Sequence, residues 1–569
     1  MKGGARRFYE KLGYPVEWLE DSQQYGAEDS YVMFDPQWAE QLPAIPQQTV
    51  DVVVRTHAEH RPAAPAIVYL GRTLTYGELH TLVGRAAAVL QGCGVASGDV
   101  VAVMVPTSAM HWVVFFALAR LGAVHCGVNV MYRAEEVRFL LEDAKPRAVI
   151  CVEQLLPVVE QAVQGRTPPA VFTVSTADLA DPGFTPYPGL HRWWPSPGPR
   201  RSGWAPVLLE EMLDSQPLSQ PVAVADVRTE IGQIVYTAGT TGRPKGVLQS
   251  HYNLMHNAIT HTLAMPGVRV PVTVSVLPLF HTGGFFVYSL PTFVRGGTVI
   301  PRPLFDPDDF LQCVRQHGVN VLFGPPTLYA ALLEHGAAHA DLAGVRICAT
   351  GAAPIPAGLP QRWQAATGVD LHGGWGMSEL NSLGTFNALP GKPAPGTLGV
   401  PVVGEVRVSV DGCVAARMVA GEIEFRGLQV SKGYLGQPQD AAFGADGWLR
   451  TGDIGYLDRA DALHYVDRKK DLLFVSGYNV SPAEIEARLL QHPRIVEVAV
   501  VGEGDPYRGE VPVAFVVGDI TPEDVVAYSR EHLAAIKVPR RVEIVAALPK
   551  NAMGKTLKRD LHTREQKGH

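Results

Sequence analysis

The residues best equipped for chemistry lie in Tyr236-Thr-Ala-Gly-Thr-Thr-Gly-Arg-Pro-Lys-Gly246. Gly239, Gly242 and Gly246 let backbone N–H groups approach an anion closely, and Thr237, Thr240 and Thr241 add hydroxyl donors. Lys245 adds a point charge. A loop of this make-up suits a polyphosphate. It is not a Walker loop, which sets Gly-Lys-Ser/Thr at the start of a helix, whereas Pro244 and Gly246 flank this lysine. A plain solvated turn is the competing reading, and so specific a stretch weighs against it.

The loop resembles the phosphate-binding segment of adenylate-forming (AMP-binding) enzymes, which include acyl-CoA synthetases, luciferases and peptide-synthetase adenylation domains. Ala238 stands where that family usually has serine. Gly374-Trp-Gly-Met-Ser-Glu379 is similar to the family's Gly-Tyr-Gly-x-Thr-Glu. The resemblance implies that Trp375, between Gly374 and Gly376, stacks near the base, that Ser378 touches the α-phosphate and that Glu379 helps to hold Mg²⁺. Mg²⁺ prefers hard oxygen ligands of that kind. Gly351, Ala352, Ala353 and Pro354 follow a strand-like run, as the family's adenine-facing turn does. Tight helix–strand packing would select the same small residues. Asp453 offers two acceptor oxygens, and the resemblance sets it and Arg468 on the ribose. Lys470 matches the family's hinge and Lys555 its catalytic lysine. A cation aimed at the α-phosphoryl oxygens lowers the barrier when a carboxylate attacks there.

Other segments concern the acid and the thiol. Val475-Ser-Gly-Tyr-Asn-Val-Ser-Pro-Ala-Glu-Ile-Glu486 resembles the motif that shapes the pantetheine tunnel of fatty acyl-CoA synthetases, with Gly477 leaving room beside Tyr478. In Pro278-Leu-Phe-His-Thr-Gly-Gly-Phe285, Gly283 and Gly284 are expected to leave volume for a chain or ring. His281 either gates that pocket, approaches the substrate carboxylate or packs in the core. No acidic residue lies between Pro278 and Ile300, so a substrate amino group would be buried without a partner and amino acids are disfavoured.

The elements that position these groups are legible in the hydrophobic pattern. Ile231 to Tyr236 reads as a buried strand feeding the loop, and strand-like and helix-like runs alternate from residue 65 to 152 and again from Val272 to Ala349. That rhythm predicts mostly parallel α/β sheets covered on both faces. Shorter alternating strands after Gly396 predict a small antiparallel, barrel-like region. Residues 470–569 form a small α+β domain, which the resemblance makes mobile. The expected division is an N-terminal extension over 1–50, a large domain over 51–469 with its β-rich part at about 396–467, and that small domain. Residues 182–206, rich in proline and tryptophan, read as a surface excursion.

A net charge of −7 and a pI near 6.3 argue against a nucleic-acid binder. No run is long and apolar enough to span a bilayer, so contact with a membrane would be peripheral. Six cysteines without Cys-x-x-Cys spacing, and no secretory h-region, suit the cytoplasm. A homodimer is a habit of the family. The expectation is an AMP-forming acyl-CoA synthetase that uses ATP, Mg²⁺ and coenzyme A, on a medium- or long-chain fatty acid. An aryl acid, a ligase loading a carrier protein and a non-catalytic nucleotide sensor are the rivals.

Overall fold

The computed structural model describes residues 24–26, 28–33, 42–165, 169–195, 204–237, 244–353, 355–356, 358–387, 396–437, 442–476, 478–550 and 556–562. Two large sheets carry the predicted α/β rhythm. In the first, Ala170–Val174, Ala148–Val152, Val100–Met104, Val124–Gly127 and Ile231–Thr237 lie side by side in parallel. Lys245–Ser250 closes its edge antiparallel to Ile231–Thr237. The second sheet has nine strands, with Thr298–Pro301, Val272–Ser275, Val321–Gly324, Ile347–Thr350 and Leu371–Met377 parallel at its centre.

Helices between the sheets explain the near-continuous apolar runs. All residues of Ala109–Leu121 and His251–Thr260 are buried, as expected of helices covered on every side. Val101 and Val103 of one sheet and Ile67 and Val299 of the other join Trp112, Phe115, Leu254 and Met255 in one core. Ser108 caps the first helix through the His111 N–H, and Gly122 ends it at φ 67°. Ser250 caps the second through Asn253.

The barrel-like region expected after Gly396 is an antiparallel sheet in the order Tyr31–Met33, Glu405–Val410, Gly421–Arg426, Leu449–Leu457, Leu463–Arg468. Tyr31–Met33, from the part of the chain read as an extension, is its edge strand. The small unit pairs Ile495–Asp505 with Gly509–Gly518 in a long hairpin and adds the shorter hairpin Leu473–Val475 to Tyr478–Val480. Helices Pro482–Leu489 and Pro522–His532 pack on this sheet through Ile485, Leu489 and Val525. The proline-rich excursion is no loose surface chain where it is described. Pro188–Trp193 is a 3₁₀ turn whose Leu190 and Trp193 enter the main core. Of the cysteines, Cys126, Cys151, Cys313 and Cys348 are buried, Cys93 and Cys413 are exposed, and all six are free thiols. Among the described residues no helix is long and apolar enough to cross a membrane.

Two core histidines face each other beneath the first sheet. His111 Nε2 lies 3.1 Å from His125 Nε2. His111 Nδ1 lies 2.9 Å from the Val105 carbonyl, which can only accept, so Nδ1 carries the proton and Nε2 accepts from His125. Gln233 donates to His125 Nδ1 at 3.3 Å and completes a chain that is satisfied only when both rings are neutral. Burial lowers His111 to about 4, and burial together with the neighbouring His111 lowers His125 further below its ordinary value. Folding therefore excludes protons that unfolded histidine takes up below a pH of about 6.5. The contribution is fully present above that pH and is lost as pH falls towards 4. We expect the thermal midpoint to drop in this window and the drop to flatten in a His111→Gln/His125→Gln variant; superimposable pH profiles for the two proteins would contradict the assignment.

Candidate active site

The strand Ile231–Thr237 delivers the chain to the phosphate-type loop and Lys245–Ser250 takes it away. Thr237 pairs with Lys245 and Tyr236 with Gly246, so the loop's two ends are clamped by one hairpin. Tyr236 Oη donates to Asp143 Oδ2 at 2.6 Å, tying that strand to helix Ala134–Ala144. Gly239, Thr240, Thr241 and Gly242 lie outside the described residues, as do Pro354, Gly477 and Lys555.

Leu371–Met377 runs out of the second sheet into the 3₁₀ turn Ser378–Leu380, which carries Glu379. Two glycines permit the close backbone approach. A Cβ on Gly351 would meet the Gly374 carbonyl at 2.9 Å, and one on Gly376 would run into the Ser382 carbonyl. Backbone strain gathers here: Ala352, Asn381 and Ser382 hold φ of 66°, 55° and 107° without being glycine. The turn is laced to the first sheet's edge. Gln249 Nε2 donates to the Ser378 carbonyl at 3.2 Å, and Asn257 Nδ2 to those of Leu380 and Asn381 at 3.0 and 3.2 Å.

Glu379 is 7% exposed. Tyr434 Oη donates to its Oε1 at 2.7 Å, and no lysine, arginine or histidine among the described residues forms an ion pair with it. Burial pushes its carboxyl above the ordinary range; the Tyr434 hydrogen bond, a backbone N–H and the Arg468 charge offset part of that shift, and the Asp453 charge adds to it. Lys245 Nζ sits 4.5 Å from the centre of the same Tyr434 ring. A buried carboxylate that accepts from a hydroxyl, beside a lysine and without an ion pair of its own among the described residues, has an oxygen to offer a hard divalent cation. The residues thus fit Mg²⁺, with Glu379 as the ligand.

Asp453, 3% exposed, lies on the third sheet. Trp375 Nε1 donates to its Oδ2 at 3.0 Å, and Arg468 Nε lies 2.9 Å from its Oδ1. Strand register places Arg468 directly opposite Asp453. Burial works against the Arg468 charge, but Asp453, Tyr465, Asp471 and Glu379 outweigh it and hold the guanidinium above its ordinary value. Trp375 has at most one face left for the expected stacking. One face is already taken by Phe425, with ring centroids 5.2 Å apart at 18°, and its polar edge is committed to Asp453.

The structure therefore brings Lys245, Glu379, Trp375, Asp453 and Arg468 to one junction of three sheets. Lys470 follows as an exposed turn residue. Tyr478 is elsewhere, 64% exposed on the small hairpin. His281 caps Thr282–Phe286 by accepting the Gly283 N–H at 3.2 Å. Gly284 is not pocket volume: its missing Cβ faces the Pro278 carbonyl, so backbone packing demands glycine there. Sequence reasoning missed Tyr434, whose only local signal is a Gly-Tyr pair. It also missed Asp467, which accepts from Ser481 Oγ at 2.7 Å and the Ala483 N–H at 2.9 Å and so caps helix Pro482–Leu489 from across the Lys470 turn.

Glu379→Gln removes a buried charge that lacks an ion pair among the described residues and leaves an oxygen for Tyr434. Without added nucleotide or metal, the variant should unfold at a higher temperature than the wild type, with a gain on the order of 1 kcal/mol. It should also lose metal-dependent activity. A clearly less stable variant in that thermal scan would show that Glu379 serves the fold.

The AMP-binding enzyme model matches residues 54–435, and the AMP-binding enzyme C-terminal domain model matches 484–555. A long-chain-fatty-acid–CoA ligase of Bacillus subtilis (strain 168) is 31% identical over 547 residues, covering 92% of this chain and 96% of the relative. A feruloyl-CoA synthase of Amycolatopsis sp is 32% identical over 524 residues, covering 89% and 97%. ATP-bound MatB from Rhodopseudomonas palustris superposes with a TM-score of 0.80 at 30% identity, over 91% of this chain and 99% of that one. The chain belongs to the AMP-binding enzyme family, in its acyl-CoA ligase branch.

Proposed function

We propose that this protein is an AMP-forming acyl-CoA synthetase that joins a carboxylic acid, of the fatty class, to coenzyme A at the expense of ATP. The observation that carries the reading is the buried Glu379 carboxylate, held by Tyr434 beside Lys245 and without an ion pair among the described residues. Such a group calls for a cation–polyphosphate ligand. The absence of an acidic residue between Pro278 and Ile300 disfavours an amino acid, and the long-chain-fatty-acid–CoA ligase resemblance favours a fatty acid. The feruloyl-CoA synthase resemblance keeps an aryl acid as the second reading.

The chemistry follows from the parts. Mg²⁺, when bound, neutralises phosphate charge and holds the phosphates in a fixed geometry. Asp453, fixed by Trp375 and Arg468, presents carboxylate oxygens to the ribose hydroxyls and sets the nucleotide's long axis. Lys245, at the exit of the loop, balances the β- and γ-phosphates, so charge moving onto the departing pyrophosphate is met by a pre-placed cation. The substrate carboxylate attacks the α-phosphorus, the P–O bond to pyrophosphate breaks, and acyl-AMP forms. Lys555 is assigned to the α-phosphoryl oxygens on sequence alone. The CoA thiolate then adds to the acyl carbonyl and AMP leaves. Lys470, exposed between the third sheet and the small domain, is the place for the turn that exchanges the two half-reactions.

The test is pyrophosphate release over a panel of fatty, aryl and amino acids, each with and without CoA. Release should depend on one acid class and turn over only with CoA. Acyl-AMP that CoA cannot discharge would move the assignment to carrier-protein loading, and no release with any acid would leave a nucleotide sensor. Lys555→Ala should slow pyrophosphate release by a factor on the order of 10²–10³. An unaltered rate would remove the lysine from the first half-reaction.

A further inference from the structure

The segment after Gly427 does more than connect two sheets. Residues 431–435 run beside the strand that leaves the phosphate-type loop, exchanging backbone hydrogen bonds along its length. The Lys432 N–H donates to the Leu248 carbonyl at 2.7 Å, the Leu248 N–H to that of Gly433 at 2.9 Å, and the Leu435 N–H to that of Gly246 at 2.8 Å. The Ser431 N–H donates to the Glu379 carbonyl at 2.8 Å. One short stretch is thus bonded to the loop's exit strand and to the turn that carries Glu379. Tyr434 stands within it, 8% exposed, with Phe443 packed edge-on, ring centroids 5.4 Å apart at 76°.

We propose that Tyr434 is a positioning residue for the nucleotide site, its ring seating Lys245 and its hydroxyl orienting the Glu379 carboxylate. The inference rests on the Mg·ATP reading given above. Lys245 Nζ is 4.5 Å from the ring centre, within cation–π range. The hydroxyl is 2.7 Å from Glu379 Oε1, a charge-assisted hydrogen bond. An aromatic alcohol suits both duties. The ring attracts the ammonium without bringing a carboxylate's charge to it. The hydroxyl donates one proton to one carboxylate oxygen and, unlike an arginine or lysine, brings no positive charge to repel a divalent cation. A salt bridge in its place would satisfy Glu379 internally and compete with metal binding. Because both groups hang from one ring on a hydrogen-bonded strand, the lysine and the carboxylate keep a fixed spacing, which matching to a metal-bridged polyphosphate requires.

Tyr434→Phe and Tyr434→Leu separate the two duties. Binding of Mn²⁺ in the presence of α,β-methylene-ATP is followed by electron paramagnetic resonance, and binding of the same nucleotide in EDTA by calorimetry. Tyr434→Phe should weaken Mn²⁺ about tenfold, the usual scale of a lost hydrogen bond to a charged group. It should leave metal-free nucleotide affinity unchanged, a split that general loosening of the fold would not give. Tyr434→Leu should weaken both. Phenylalanine keeps the shape, so the decisive arm does not depend on the larger deletion folding. Wild-type Mn²⁺ affinity in Tyr434→Phe would overturn the proposal and leave the Mg·ATP reading standing. Failure of the wild-type protein to bind Mn²⁺ with the nucleotide would overturn that reading and the proposal with it.

Discussion

A buried carboxylate with no ion pair is expensive to keep, and among the described residues Glu379 is one. Burial disfavours its charge, and the Tyr434 hydroxyl offsets only part of the cost. A fold keeps such a group when something else supplies the charge. The surroundings of Glu379 hold its turn in place through neutral amides: Ser431 binds its carbonyl, Gln249 that of Ser378, and Asn257 those of Leu380 and Asn381. The Arg468 charge favours the carboxylate from a distance but forms no ion pair with it, so an oxygen stays open to a ligand.

Three sheets have to meet for this to happen. The first contributes Lys245 at the edge hairpin, the second contributes Glu379 and Trp375 beyond Leu371–Met377, and the third contributes Asp453 and Arg468. The fully buried helices Ala109–Leu121 and His251–Thr260 lock the first two sheets together. The second helix also carries Asn253, whose Nδ2 donates to the Leu428 carbonyl at 2.7 Å on the way to Tyr434. Trp375 and Asp453 join the second sheet to the third. Core packing and site geometry are thus carried by the same elements, and the strained backbone at Ala352, Asn381 and Ser382 lies where they converge.

Much of this was legible in the chain because it is local. The apolar runs at Val100, Ala148 and Ile231 became strands, the stretch from Tyr76 became a helix, and Glu405–Val410 and Gly421–Arg426 became strands at the expected bounds. Lys245, Glu379, Asp453 and Arg468 stood out because charged or phosphate-binding residue types occur at fixed spacing. What depends on contacts between distant segments was not legible. Tyr434 acts on Glu379, 55 residues earlier, through a strand pairing that no periodicity announces. His111 and His125 find each other across a helix-to-strand turn. Gly284 looked like room for substrate, yet the Pro278 carbonyl fills the space a side chain would take. Trp375 looked like a face for the base, yet Phe425 covers one side of it.

The central claim is that a carboxylate oxygen attacks the α-phosphorus of ATP. Incubating the protein with Mg·ATP, CoA and an acid labelled with ¹⁸O in both carboxylate oxygens, followed by mass spectrometry of the products, tests it most directly. One ¹⁸O should appear in AMP, one should remain in the acyl-CoA carbonyl, and the pyrophosphate should carry none. Label in inorganic phosphate with formation of ADP, or AMP released without label, would contradict the account.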